Sequence, residues 1–217
     1  MGTDHEVQKI VNALEEDIVL WVITPGTRLI EDHLIERFEA KRHVARAALA
    51  KLSEMGLVER IPNRGSVVRS YDPEDVAALY AFRRVIEPAA AGQIPLPASI
   101  LALEELKAIQ SRHDKAAEDQ DMPGLFRANL HFHRALFALC PNAFLTEAIE
   151  KAAMQAHAVR FSTLDDHNAL SKAREEHHAM IDALSQGDHA TLVTLCESHL
   201  QHSYDAYSRA MREREAS

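Results

Sequence analysis

The spacing of apolar residues predicts three helices at the start of the chain. Apolar side chains recur at the helical period from Val7 to Val22. The segment Thr24-Pro25-Gly26 is expected to end this helix, because proline lacks a backbone donor and glycine permits a turn. Shorter helical patterns follow at 31–38 and 42–55, and Gly56 is suited to cap the last of the three helices.

A different pattern follows Gly56. The segments 57–61 and 66–69 contain leucine, valine and isoleucine over lengths typical of short β-strands. Between them, Pro62-Asn63-Arg64-Gly65 has the composition of a tight hairpin turn. Three helices followed by a hairpin with a basic tip predict a winged helix-turn-helix.

Only helical patterns follow Asp72, which is suited to cap a helix that begins at Pro73. Six helices are predicted, at 73–92, 97–118, 122–139, 142–161, 166–185 and 188–213. The sequence therefore predicts a mainly α protein with two domains. These are a winged helix-turn-helix with a small β-hairpin wing over 1–70 and an all-α antiparallel helical bundle over 71–217.

Composition agrees with this architecture. Hydrophobic residues make up 47% of the chain and glycine is scarce, which favours a packed helical core. The two cysteines, Cys140 and Cys196, are too few for a disulfide framework. Apolar runs stay well short of the ~18 residues of a membrane span, and a basic-then-apolar leader is absent. We therefore expect a cytoplasmic protein with no membrane association.

The net charge of −9 disfavours nucleic-acid binding, but the charge is unevenly distributed. From Arg37 to Arg69, eight basic residues stand against three acidic ones, a local surplus of five. Attraction to DNA phosphates depends on such local fields. A recognition helix presents polar and basic side chains at its N-terminal end. The third helix offers Lys41, Arg42, His43 and Arg46 there, and the hairpin tip offers Asn63, Arg64 and Gly65.

Three stretches of the first domain have a specific pattern: Thr24 to Leu29, Arg42 to Leu49 and Gly56 to Gly65. They are similar to P-G-x-x-L, S-R-x-P-V-R-E-A-L and E-G-L-V with P-N-R-G, and in this they resemble the GntR family of bacterial regulators. The departures lie at the DNA face. Lys41 replaces serine, His43 and Val44 replace threonine-proline, Ala47 replaces glutamate, and Asp32 stands where an arginine often contacts DNA.

The resemblance extends over nearly the whole chain, since the second half is similar to the FCD-type ligand domain of the FadR subfamily. It implies a DNA-binding transcription regulator, expected to be a repressor, that responds to a small effector. Operators are usually read by two-fold dimers, so a homodimer is expected on operator DNA. Effector binding would either release or strengthen DNA contact by shifting the arrangement of the two DNA-binding domains in the dimer.

Ten of the thirteen histidines lie between His113 and His202. Three of them share a helical face with apolar residues on three different predicted helices: His133, His177 and His199. A single histidine on such a face is usually a satisfied core residue. Three are harder to bury singly, because each ring has two nitrogens that need partners. A metal ion bound in the core of a helical bundle would satisfy them together.

The resemblance implies the same ligands. The subfamily patterns D-x-x-F-H, E-H-x-x-I-x-x-A and H-L correspond here to 129–133, 176–183 and 199–200. They imply a divalent metal ion, zinc first with nickel or manganese as alternatives, held by Asn129, His133, His177 and His199. Asn129 replaces the usual aspartate. An amide oxygen is a weaker ligand than a carboxylate, so the metal affinity would be lower. The metal site would, however, keep its full positive charge and attract an anionic effector more strongly. His178 or His202 could support the site from outside.

Arg83 lies on the apolar face of the helix that begins at Pro73. A buried arginine needs an anion. Glu87, four residues later, is one candidate, and the carboxylate of a small organic-acid effector, which the resemblance also implies, is the other. Both remain open at this point.

Two other functions are weighed. A helical-bundle metalloenzyme is suggested by Glu175-x-x-His178, a spacing used in di-iron sites, but a second such pair on another helix is missing and both residues lie off the apolar face. A general base beside the histidines is also missing. A DNA-binding protein with a purely structural helical domain would contain no metal. We expect a regulator and not an enzyme.

Overall fold

The computed structural model describes residues 2–160 and 167–215. Contacts divide these residues into two compact units, and the main boundary falls between Pro73 and Glu74. The predicted helix limits at 161 and 166 lie outside the described residues. Within the described ranges, no helix is both long enough and apolar enough to cross a membrane.

The first unit contains three helices and three short strands. In chain order they are α1 (Gly2–Val19), β1 (Arg28–Leu29), α2 (Glu31–Phe38), α3 (Arg42–Glu54), β2 (Val58–Ile61) and β3 (Gly65–Val68). The strands form an antiparallel sheet in the order β1-β3-β2. The predicted hairpin is formed by β2 and β3, with Arg60 opposite Ser66. The two-residue strand β1 was not predicted, because two residues are too few to show a period.

The first helix differs from its prediction. It ends at Val19 and not at Val22, because the chain turns at Trp21, whose φ is 55°. The proline and glycine at 25 and 26 therefore lie in a loop beyond the helix end. The apolar faces of α1 and α3 form one core with residues of the hairpin, including Leu14, Ile18, Ala48, Leu52 and Val68.

In the part of the chain that the structure describes, the second unit is a bundle of six helices. They are α4 (Pro73–Ala91), α5 (Ile100–Glu118), α6 (Met122–Ala138), α7 (Ala143–Arg160), α8 (His167–Gln186) and α9 (His189–Glu215). The end of α7, from Met154, is grouped with the first unit. The core of the bundle is apolar and includes Ile94, Leu106, Phe132, Leu136, Met180 and Leu184. The prediction of a mainly α protein with a small β-hairpin wing is confirmed.

Side-chain caps explain where several of these helices begin. Helix α5 begins at Ile100 and not at 97, because the Ser99 hydroxyl accepts a hydrogen bond from the Ala102 amide at 3.2 Å. Asp121 accepts one from the Gly124 amide at 3.0 Å and starts α6 in the same way. These caps fix the start of α5, which carries Gln110 and His113, and of α6, which carries His133.

Candidate functional site

The N-terminal end of α3 presents the predicted DNA-facing residues to solvent. Lys41, Arg42, His43 and Arg46 are all exposed. On the opposite face of the same helix, residues such as Val44 and Ala48 are fully buried. The helix is therefore held by its apolar face while its basic end remains accessible, which is the arrangement a recognition helix needs.

The wing tip is also exposed and sharply turned. Asn63, Arg64 and Gly65 all lie at the surface. Asn63 has a φ of 63° and Gly65 a φ of 79°, in the left-handed region that glycine adopts without strain. The Arg64 amide donates to the Ile61 carbonyl at 3.1 Å and closes the turn. The Arg64 side chain thus stands at the end of a short, defined hairpin.

Two carboxylates of α2 contact the arginines of α3, and sequence reasoning did not find this network. Arg42 Nη2 lies 2.7 Å from Asp32 Oδ1, and Arg42 Nη1 lies 3.7 Å from Glu31 Oε2. The same Glu31 oxygen accepts from Arg46 Nε at 2.9 Å. The spacing along α2 and α3 gave no signal, because the pairs connect residues on different helices.

In the second unit, the structure brings together the three predicted histidines. His133 comes from α6, His177 from α8 and His199 from α9, and one nitrogen of each lies within 4.8 Å of the others. Their ring centroids are 5.0 to 5.1 Å apart. The rings are buried, with exposed fractions of 7%, 0% and 7%. Asn129, the fourth predicted ligand, is half-buried on α6 one helical turn before His133.

Two of these rings are oriented from outside the cluster. His177 Nδ1 lies 3.0 Å from Gln110 Oε1, and His199 Nδ1 lies 2.9 Å from Glu176 Oε2. The other Glu176 oxygen is 2.6 Å from His202 Nδ1. With Nδ1 of His177 and His199 engaged in this way, Nε2 is the nitrogen that each can offer to a metal. Sequence reasoning missed Gln110 altogether.

The carboxylates around the cluster stay ionised. Burial opposes ionisation of Glu176, but hydrogen bonds and charge from His199 and His202 outweigh it and hold the pKa of Glu176 below its usual value. Asp114 accepts from Gln110 and Arg174 and lies 2.9 Å from His178 Nε2. These contacts likewise outweigh partial burial and lower the pKa of Asp114. His202 therefore connects to the cluster through Glu176, and His178 connects to it through Asp114 and Gln110.

A fourth buried imidazole, His113, was also missed. It lies on α5 with an exposed fraction of 2%, and its ring centroid is 5.2 Å from that of His177. Its Nδ1 has no hydrogen-bond partner within the described part of the chain. Burial lowers the pKa of His113 to about 4. The available signal was its position on the apolar face of α5, one and two turns after Ile109 and Leu106.

Arg83 is buried and has the intrahelical partner that the sequence suggested. Its Nε lies 2.6 Å from Glu87 Oε1, and the two side chains are 1% and 3% exposed. The guanidinium also lies 5.0 Å from the centre of the Tyr80 ring. Its Nη1 atom is buried with no hydrogen-bond partner among the described residues. Glu87 thus accepts from Nε of this side chain, while the two N–H groups of Nη1 have no partner among the described residues.

Comparison with known proteins covers both units. The family model for bacterial regulatory proteins of the gntR family matches residues 6–68, and that for the FCD domain matches residues 78–202. The HTH-type transcriptional repressor RspR of Escherichia coli strain K12 is 28% identical over 197 residues, which are 89% of this chain and 85% of that protein. The galactonate operon transcriptional repressor of the same strain is 24% identical over 207 residues, 86% of this chain and 90% of that protein.

Solved structures give the same picture of the fold. A putative transcriptional regulator GntR from Rhodococcus sp. RHA1 has a TM-score of 0.76 and 26% identity, and the match covers 94% of this chain and 97% of that one. Escherichia coli McbR/YncC has a TM-score of 0.81 and 19% identity, with the same coverage. The likeness therefore extends over both units.

Proposed function

Because the chain belongs to the GntR family of bacterial transcriptional regulators and carries an FCD domain, we propose that its helical unit senses a small carboxylate-bearing effector through a bound divalent metal ion. Family membership makes the protein a DNA-binding regulator and not an enzyme. We further propose that it acts as a repressor and binds operator DNA as a homodimer. The observation that supports the sensing role is the cluster of three buried histidines from three helices.

The DNA contacts are proposed for the basic end of α3 and the wing tip. Exposed arginines at the start of a recognition helix can pair with guanine or hold phosphates. Arg42 and Arg46 occupy that position, with Lys41 and His43 beside them. In the wing, Arg64 is proposed to reach the sugar-phosphate backbone or the minor groove of DNA, since Asn63 and Gly65 form the turn that projects its side chain.

The donor set fits a divalent metal ion. Neutral imidazole nitrogens suit zinc and nickel, and metal-binding histidines usually donate their other N–H to a carboxylate, an amide or a carbonyl. His177 and His199 have such contacts to Gln110 and Glu176. We propose that four residues hold the ion: His133, His177, His199 and Asn129. When bound, it would supply a buried positive charge that attracts the carboxylate of an effector.

The proposed effector contact of Arg83 is supported by how α4 packs against α9. Tyr80 of α4 lies 2.8 Å from Ser203 of α9, hydroxyl to hydroxyl. At the other end, His189 Nε2 of α9 lies 2.8 Å from the backbone oxygen of Ile94, just after α4. Arg83 lies between Tyr80 and Ile94 along the chain, just as His199 lies between Ser203 and His189. A carboxylate that contacts the metal would therefore have Arg83 Nη1 at the same level of the bundle.

The test compares metal content and DNA binding in matched variants. His133→Ala, His177→Ala and His199→Ala should each lose bound metal in native mass spectrometry and elemental analysis. His131→Ala is the control, because His131 is exposed on the same helix two residues from His133. A duplex selected from a random pool by the wild-type protein then reports DNA binding with and without a chelator and small carboxylates. Metal-free wild type, with DNA binding indifferent to chelator and carboxylates, would instead indicate a structural helical domain.

A further inference from the structure

The contacts between α2 and α3 cancel the charge of Arg42 and Arg46, two of the residues proposed to meet DNA. Arg42 and Arg46 carry two positive charges, and Glu31 and Asp32 place two carboxylates on them at 2.7 to 3.7 Å. Phosphate attraction depends on the local net charge. In this conformation the four residues together contribute no net charge.

The fold holds the carboxylates in place. Glu31 and Asp32 lie in the first turn of α2, where the helix dipole favours negative charge, and the preceding Ile30 provides no side-chain cap. Glu31 is the more enclosed of the two, with 27% of its side chain exposed, and one of its oxygens contacts both arginines. Asp32 is 71% exposed and contacts only Arg42 in this network.

These pairs are accessible and can therefore be exchanged. Both arginine side chains are more than half exposed, and ion pairs of this kind are weak and rearrange readily in water. When a phosphate replaces the carboxylate as the partner of an arginine, one anion replaces another, and the carboxylate is left beside the DNA backbone. When a guanine edge replaces the carboxylate, the arginine gains a bidentate hydrogen bond, and no second anion is placed beside its guanidinium group.

We propose that Glu31 and Asp32 determine DNA specificity by neutralising Arg42 and Arg46, so that binding to non-operator DNA is suppressed more than binding to operator DNA. The inference rests on the proposed contact of these arginines with DNA. Asp32 is the main suppressing group, because it is exposed to the approaching phosphates. Glu31 also positions the two arginines relative to each other.

The experiment measures the affinity of the full-length protein for two duplexes of about 30 base pairs. One is a random-sequence pool, and the other is a duplex selected from that pool by the wild type. Fluorescence anisotropy is recorded from about 50 to about 300 mM KCl, where phosphate contacts set the salt dependence. The variants are Asp32→Asn and Glu31→Gln/Asp32→Asn. Asp119→Asn is the control, since it removes one carboxylate from an exposed pair with Lys115 on α5, in the other unit.

For Asp32→Asn we expect about tenfold tighter binding to the random pool and a salt slope steeper by about one per protomer. Binding to the selected duplex should tighten less, so that the specificity ratio falls. Asp119→Asn should leave the affinities and the slope unchanged. Unchanged or weaker binding of the random pool by Asp32→Asn would overturn the inference.

Two further variants separate this inference from the proposed DNA contact. Arg42→Ala and Arg46→Ala should each weaken binding to the selected duplex. If neither does, the proposed DNA contact fails, and the inference fails with it. If both do while Asp32→Asn behaves as wild type, only the inference fails. Circular dichroism spectra should be unchanged throughout, because Asp32, Arg42 and Arg46 are surface residues.

Discussion

The Nδ1 atom of His177 lies 3.0 Å from the Oε1 atom of Gln110, and both side chains are buried. The amide of Gln110 has a fixed orientation, because its Nε2 donates to Asp114 Oδ1 at 2.8 Å. Its oxygen therefore faces His177 and accepts the Nδ1–H. In this tautomer, Nε2 of His177 presents its lone pair, which is the form that a metal ligand requires.

Gln110→Leu should therefore weaken metal binding without moving a proposed ligand. Loss of such an outer hydrogen bond typically costs about 10–100-fold in metal affinity. Titration of the metal-free protein with zinc against a chromophoric chelator would measure it. Gln93→Leu is a suitable control, since Gln93 is exposed, and its side chain donates to the Ala89 carbonyl and accepts from Asn142, away from the histidines. Equal zinc affinity of Gln110→Leu and wild type would refute the role of this contact.

Asn129 allows a test of ligand chemistry within one position. An amide oxygen is neutral, whereas a carboxylate suits harder ions such as manganese. We expect Asn129→Asp to raise the affinity for divalent metals, most of all for Mn²⁺ relative to Zn²⁺. Asn129→Leu should lower both affinities. Isothermal titration with each metal gives the comparison, and if both variants match the wild type, Asn129 is not a ligand.

The sequence was sufficient to predict which residues share one face of a helix, but not which residues of different helices contact each other. His133, His177 and His199 were identified because each lies on an apolar stripe of its own helix, and a stripe is visible in one dimension. Gln110 escaped notice because its role depends on α5 packing beside α8, which the sequence does not specify. His113 lies on an apolar face that the sequence does show, but its place beside His177 depends on the same packing. Glu31 and Asp32 were missed as partners of Arg42 and Arg46 for the same reason.

Arg83 and Glu87 offer a way to separate structural and sensing roles. Arg83→Met leaves a buried carboxylate unpaired and should lower the free energy of unfolding by about 3–5 kcal/mol. Arg83→Met/Glu87→Met removes both charges and should recover most of that loss. Urea unfolding followed by circular dichroism measures both values.

The double variant then tests the effector contact on a folded protein. A panel of small mono-, di- and tricarboxylates is screened by thermal shift with metal present, first on the wild type. Carboxylates that stabilise the wild type should fail to stabilise the double variant, because the Nη1 of Arg83, which has no partner among the described residues, is gone. Glu87→Gln retains that atom and should retain the shift. Full shifts in the double variant would assign Arg83 a structural role alone.

His113 predicts how the stability of the metal-free protein depends on pH. Burial lowers its pKa from 6.5 to about 4, although the charge of Asp114 acts in the opposite direction. The unfolded chain takes up a proton as the pH falls below 6.5, whereas the folded protein resists protonation until about 4. Stability from this residue is therefore complete above pH 6.5 and is lost progressively as the pH falls towards 4.

The loss between pH 7 and pH 5 should be about 2 kcal/mol for this residue. His113→Gln cannot titrate, so its free energy of unfolding should fall by that much less than the wild type over the same interval. Both proteins keep the carboxylates whose pKa is lowered, such as Glu176, so their contribution cancels in the comparison. His33→Gln, at an exposed position, should follow the wild-type curve. If the curve of His113→Gln is as steep as that of the wild type, the prediction is wrong. The buried ring of His113 would then already carry its proton at pH 5, or a partner that forms on acidification would stabilise it.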